Sequence, residues 1–368
     1  MEKLLTGITN MTWQQIVMIL IGGVLIYLAI KKEYEPMLLL PIGFGAILTN
    51  IPLSSAVGEG GFLTILYEAG IATELFPILI FIAVGAMIDF SPLLKQPVML
   101  FFGAAAQFGI FAAMLLAAAT GVFSLKEAAS IGIIGAADGP TSIYVANLFA
   151  PKLLGPISVA AYSYMALVPM IQPPVIRMFT TKEERKIRMD ADYNAKVSKK
   201  VLILFPIMVT VVAGIISPMS VGLVGALMFG NLIRECGVLD RLSQAAQNEL
   251  ANLVTLLLGI TIGSTMVAEQ FLAPTTLMIL GIGLLAFIFD TAGGVLFAKF
   301  INLFLKNKVN PMIGAAGISA FPMSARIVQR MAQKEDPTNF ILMQAIGANV
   351  AGQIGSIIAG GVLLALVG

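Results

Sequence analysis

Histidine is absent from this sequence, and cysteine occurs once, at Cys236. A disulfide framework needs cysteines in pairs, and a zinc-type centre needs His and Cys ligands at fixed spacings, so both are excluded. Charge is scarce too. Only 11% of the 368 residues are Asp, Glu, Lys or Arg, against about 25% in a soluble domain. No polar stretch exceeds roughly twenty residues, which leaves no room for a soluble catalytic or nucleotide-binding domain. No Gly-rich phosphate loop is present. The start, Met1-Glu-Lys, has no cleavable signal pattern, and the run from Gln14 to Ile30 is long enough to remain as a span.

What the chain does have is apolar length. Hydrophobic residues make up 58% of it, and runs long enough to cross a bilayer recur from end to end. The spacing predicts twelve apolar segments. In the first half they are 14–30, 37–53, 74–91, 98–121, a broken one at 127–149, and 156–176. A hydrophilic bridge, 180–200, then leads to 201–217, 219–233, 250–267, 274–297, a broken one at 308–328, and 338–367. The fold class expected is an all-α polytopic membrane protein. Its parts are a first repeat (1–179), a cytoplasmic linker (180–200) and a second repeat (201–368).

Two echoes support the duplication. Gly45-Ala-Ile-Leu-Thr-Asn50 returns as Gly225-Ala-Leu-Met-Phe-Gly-Asn231, and Ile134-Gly-Ala-Ala137 returns as Ile313-Gly-Ala-Ala316 in the other broken segment. Gly and Ala are common in membrane helices, so the matching order of segments carries more weight than the identities. Charge then fixes orientation. With five crossings and one re-entrant segment per half, every one of the 22 Lys and Arg residues except Lys3, Lys126 and Lys152 falls on the cytoplasmic side. Six crossings per half scatter them. The repeats are therefore expected to be inverted, with the two broken segments entering from opposite faces, as in secondary transporters.

The first broken segment centres on Asp138-Gly139-Pro140-Thr141-Ser142. A carboxylate at membrane depth is a functional residue by default, and the backbone freed by Gly-Pro adds carbonyl oxygens. Asp138, Thr141 and Ser142 thus form a candidate Na+ site; the plainer reading is an Asp that caps the following helix. The second broken segment, Asn310 to Arg326, has two prolines and two glycines before Met323, which forbid a regular helix. Asn310, Ser319 and Ser324 offer oxygens there. Arg326 offers a planar cation suited to a carboxylate, or else a snorkelling interfacial side chain. Tyr162 and Tyr164 can pass a proton, bind an ion, or simply pack. Asp89 and Asp290 read as interfacial or capping. Asn50, Asn231, Thr261, Ser264, Thr265, Gln344, Asn349 and Gln353 read as interhelical hydrogen-bonding positions, and the methionines as packing.

Four stretches are also familiar: Gly135 to Tyr144, Pro151 to Ile157, Val168 to Pro174, and Asn310 to Arg326. Together the chain resembles, over essentially its full length, the beta subunit of the sodium-pumping, biotin-dependent decarboxylases. That family includes the oxaloacetate, methylmalonyl-CoA and glutaconyl-CoA enzymes. The resemblance implies an elevator-type transporter in a bacterial or archaeal cytoplasmic (inner) membrane. It would decarboxylate carboxybiotin presented by a partner carrier protein or domain and couple this to Na+ export. It implies ion ligation by Asp138, Asn310 and Gly314, and a second group, Tyr164, Ser319 and Arg326, for ion or proton passage and carboxybiotin handling. The partners implied are a soluble carboxyltransferase alpha subunit, a small gamma or delta membrane subunit, and further copies of the chain in a trimer. The sequence has no Met-Lys-Met biotinylation site, so biotin must arrive on a partner. The competing expectation is a stand-alone Na+-coupled carboxylate transporter of elevator type.

Overall fold

The computed structural model describes residue 7 and residues 9–189 and 196–368. Lys3 and residues 190–195 of the expected linker lie outside the described residues. All regular structure among the described residues is helical. The principal helices are α1 (Trp13–Lys32), α2 (Pro36–Asn50), α3 (Leu75–Met87), α4 (Met99–Ala105), α5 (Phe108–Ala119), α6 (Leu125–Gly132), α7 (Gly139–Phe149) and α8 (Leu154–Phe179). They continue with α9 (Lys199–Ile216), α10 (Val221–Glu235), α11 (Ala251–Ser264), α12 (Pro274–Ile301), α13 (Met312–Ala315), α14 (Met323–Glu335) and α15 (Leu342–Val367). Their starts follow local chemistry: Thr12 with Gln15 and Ser124 with Glu127 form capping boxes at α1 and α6.

Seven described helical stretches are long and apolar enough to cross a membrane, eight if the pair Phe62–Ile71 and Leu75–Met87, bent by 62°, counts as one. The sequence reading expects ten crossings. The difference lies at 37–53 and 219–233, which fold as α2 and α10, 15 residues each. Such a helix rises about 22 Å, short of the roughly 30 Å hydrocarbon core. Apolar side chains of α1 and α9 such as Leu20, Tyr27, Leu204 and Ile215 are exposed, as lipid contact requires. α8 and α15 are mostly buried.

Matched segments of the two halves pack crosswise. α2 lies on α11 and α10 lies on α3; likewise α8 packs on α12 and α15 on α4. Both short helices cross their partners at backbone distance. A Cβ at Gly263 would stand 2.3 Å from the Ile42 carbonyl, and one at Gly85 only 1.8 Å from that of Leu227. The echoed asparagines do matching work. Asn50 Nδ2 donates to Met266 O at 2.8 Å just beyond α11, and Asn231 Nδ2 donates to Ile88 O at 2.9 Å just beyond α3. A π-helical turn precedes each partner, at Tyr67–Ile71 and Ala246–Leu250.

The hydrophilic bridge is a clasp where it is described. Arg185, nearly buried, bonds Glu335 at 2.8 Å and the Thr180 carbonyl at 2.7 Å. Arg188 reaches Asp336 at 2.7 Å, and Lys299 reaches Glu184 at 3.0 Å. The Thr338 hydroxyl, then Arg188, pull the Asp336 carboxyl down to about 2. The Arg185 guanidinium likewise holds Glu335 below the usual carboxylate range.

Candidate functional site

α6 runs into a 3-10 turn, Ile133–Ala136, and the chain then reverses its local hand at Ala137, whose φ is 52°. A left-handed alanine costs roughly 1–2 kcal/mol, so the surroundings must hold it. Asp138 follows in extended conformation and caps α7. One carboxylate oxygen, Oδ1, accepts from Thr141 N at 3.2 Å. The other, Oδ2, accepts from Thr141 Oγ1 at 2.7 Å and from Ser356 Oγ at 2.8 Å. Ser142 Oγ turns back to the Asp138 carbonyl at 2.8 Å. Asp138 is 5% exposed with no cation in ion-pair range among the described residues. It is therefore a cap and a buried carboxyl at once.

The second break lies between α13 and α14. There three consecutive carbonyls leave the helical ladder, and each is taken by a side-chain amide: Gly317 O by Gln107 at 3.3 Å, Ile318 O by Asn349 at 2.6 Å, and Ser319 O by Gln353. This is how unwound backbone survives at membrane depth, buried in protein with its polar groups paired. The breaks meet directly. Ser319 N donates to Ala136 O at 3.0 Å, and Ser319 Oγ lies 2.7 Å from Ser356 Oγ. Ser356 thus bridges Asp138 to Ser319. α15 comes close enough because Gly352 has no side chain; a Cβ there would sit 2.0 Å from Gly317 O.

Asp138, Thr141, Ser142 and Ser319 are brought together, and Ser356 joins them as a residue the sequence reading did not single out. Its signal was the spacing Asn349, Gln353, Ser356, which places three polar groups on one face of α15. Asn310 shares no hydrogen bond with Asp138. Its amide protons go to the Arg185 and Ile187 carbonyls, both at 2.9 Å, and its Oδ1 takes Met312 N at 3.1 Å. Asn310 thus pins the 180–189 clasp, and its Oδ1, with one donor, keeps a second lone pair. Gly314 serves a helix crossing, since a Cβ there would stand 1.9 Å from Gly294 O of α12.

Tyr164 Oη donates to the Leu280 carbonyl. Tyr162 is nearer the carboxylate, its ring lying on Gly139, and its hydroxyl has no partner. Ser324 binds Gln172 and the Ala315 carbonyl, bracing the second break from α8. Arg326 is exposed on α14, with no side-chain partner among the described residues. Asp290 departs furthest from expectation. Read as interfacial, it lies inside the 28-residue α12 and is 0% exposed.

The chemistry open to this site follows from its donors. Among the described residues no three His, Cys, Asp or Glu side chains cluster, so a transition-metal centre has no ligand set. What exists is one carboxylate among hydroxyls and amide oxygens. Tyr162 Oη, whose ring lies on Gly139, is buried without a hydrogen-bond partner, and so is Asn349 Oδ1 on the amide that binds Ile318 O. Hard neutral oxygens around a single anion suit a monovalent cation carried as substrate.

The fold and this site define a multi-pass membrane protein built around paired helix breaks. The comparisons place it more narrowly. Residues 14–367 match the family model described as the Na+-transporting oxaloacetate decarboxylase beta subunit. The chain is 50% identical to the methylmalonyl-CoA decarboxylase subunit beta of Propionigenium modestum, covering 99% of this chain and 97% of that one. It is 52% identical to the glutaconyl-CoA decarboxylase subunit beta of Acidaminococcus fermentans, over 99% and 96%. To the probable oxaloacetate decarboxylase beta chain of Vibrio cholerae it is 46% identical, over 97% and 96%. The chain belongs to this family of Na+-transporting decarboxylase beta subunits.

Proposed function

We propose that this chain carries Na+ outward across the membrane while carboxybiotin, presented on a partner's carrier domain, loses CO2 at its cytoplasmic face. The observation that carries the proposal is the buried Asp138 carboxylate at the junction of the two helix breaks, hydrogen-bonded to Thr141 and Ser356. Na+ binds to Asp138 with Thr141 and Ser142, and Ser356 and Ser319 orient the carboxylate. Asn310 and Gly314 hold the second break in place beneath it. Arg326, unpaired and exposed, holds the carboxylate of carboxybiotin through its planar fork. Breaking the C–N bond leaves the electron pair on the ureido nitrogen, which takes a proton passed by way of Tyr164 and Ser319. Moving one charge against 100 mV requires about 2.3 kcal/mol, which is within reach of a downhill decarboxylation.

Segments 1–179 and 201–368 act as inverted repeats joined by the clasp 180–200, and one bundle moves against the other as an elevator. The crosswise packing of α2 on α11 and α10 on α3 supports this. The working assembly contains a carboxyltransferase alpha subunit, a biotin carrier, a small gamma or delta membrane subunit and three copies of this chain. Relatives named for three different acids share the sequence, so the choice of acid belongs to the alpha subunit. Avidin added to the reconstituted complex tests the reading. It should stop Na+ movement; continued movement would make the chain a stand-alone Na+-coupled transporter.

A further inference from the structure

We propose that Asp290 is a second ion site, one that binds a proton where Asp138 binds Na+, and that it is gated by the turn leading into Asp138. The carboxyl is 0% exposed and no described side chain hydrogen-bonds either oxygen. It is wedged between two glycines. A Cβ at Gly109 of α5 would lie 2.5 Å from Oδ1, and one at Gly135 of the 133–136 turn would lie 2.8 Å from Oδ2. Both elements have given up side chains where the carboxyl sits. The Gly135 contact is three residues before Asp138, in the turn that leads into it.

No cation faces Asp290. The elements packed on α12 near it are α4, α5, the 133–136 turn and α13, none of which contains Asp, Glu, Lys or Arg. α6 has Lys126 and Glu127 only in its first turn, and α8 brings Tyr164, whose hydroxyl is taken by Leu280, and Arg177 in its last turn. On α12 itself, Lys299 binds Glu184. The amides of Gly109 and Ile110, in the first turn of α5, are aimed at the carboxyl. A helix start offers only partial positive charge, which falls short of what an unpaired buried carboxylate requires. A cation is needed, and the space decides which. Na+ demands a shell of oxygens, whereas each Asp290 oxygen lies where even a Cβ on Gly109 or Gly135 would collide with it. A proton needs no room. Because Gly135 forms one wall, any shift of the Asp138 turn against α12 opens the carboxyl and lets the proton leave.

The gating rests on the transport cycle proposed above; the protonation does not, and the two are tested apart. Infrared spectra of the purified complex, with and without 13C-aspartate, should show at neutral pH a protonated carboxyl stretch from aspartate. It should persist in D138N and vanish in D290N. Ionised carboxylate bands in its place would overturn the proposal, and wild type compared with D138N decides this even if D290N does not assemble. D290N, isosteric with the protonated acid, should bind 22Na+ like wild type but turn over at least about tenfold more slowly. Wild-type turnover at every pH, or loss of 22Na+ binding in D290N, would equally overturn it.

Discussion

Replacing Asp138 with asparagine separates charge from shape at the junction of the breaks. The amide occupies the same volume but offers one acceptor oxygen to partners that now use two: Thr141 N on Oδ1, and the Thr141 and Ser356 hydroxyls on Oδ2. Either both hydroxyls turn to accept from an NH2 group at the Oδ2 position, or the NH2 group takes the Oδ1 position and the Thr141 amide loses its acceptor, a change of about 1 kcal/mol in stability. The fold should therefore survive, and the complex should assemble. Ion binding should not survive. A unit charge about 4 Å from Na+ contributes about 4 kcal/mol at an effective dielectric near 20, which is about a thousandfold in affinity. The assay is the Na+ concentration that half-saturates decarboxylation in proteoliposomes, read beside 22Na+ binding. Asp138→Asn complex that assembles normally and half-saturates within about threefold of wild type, under 1 kcal/mol, would refute Asp138 as the ion ligand.

Four further outcomes are expected. Ser356→Ala removes a hydrogen bond to a charged acceptor, of order 1.5–3 kcal/mol, and should raise the half-saturating Na+ concentration at least about tenfold while leaving carrier binding unchanged. Gly314→Ala pushes a methyl against Gly294 O and should destabilise the purified complex by about 1–3 kcal/mol, measured as a lower melting temperature. Arg326→Ala should change stability by no more than about 0.5 kcal/mol, since the side chain has no partner within the described chain, yet abolish carboxybiotin turnover; unchanged turnover at saturating carrier would return it to the surface class. Asp336 has a depressed carboxyl, so its contribution is present above the unfolded value of 3.8 and is lost as pH falls towards about 2. Peptic cleavage within residues 180–189 should stay slow at about pH 4 and accelerate only below it; Asp336→Asn should be cleaved quickly at both.

The membrane class, the twelve apolar segments and both helix breaks were legible because each is a local signal: apolar length, or Gly and Pro at fixed positions. Asp138 was legible for the same reason, as a charge where none is affordable. Asn50 and Asn231 were read as interhelical hydrogen-bonding positions and prove to be such. What depended on partners distant in sequence was not legible. Asn310 was singled out because it opens the second break; that its amide protons go to the carbonyls of residues 185 and 187 has no local signal. Ser356 and Asp138 are 218 residues apart, and no periodicity links them. Asp290 was misplaced because α12 extends further past it than the apolar stretch 274–297 allows for. Segments 37–53 and 219–233 were found close to the observed α2 and α10, but counting each as a full crossing was wrong, since 15 residues fall short of the bilayer core.

The central claim is that loss of CO2 from a partner's carboxybiotin moves Na+ through this chain. Its most direct test is 22Na+ uptake into inverted vesicles containing the whole complex, started with the acid substrate and followed with and without avidin. Uptake that accompanies CO2 release and stops on avidin addition is the predicted result. Uptake that continues with avidin bound, or CO2 release at full rate with no uptake in sealed vesicles, would contradict it.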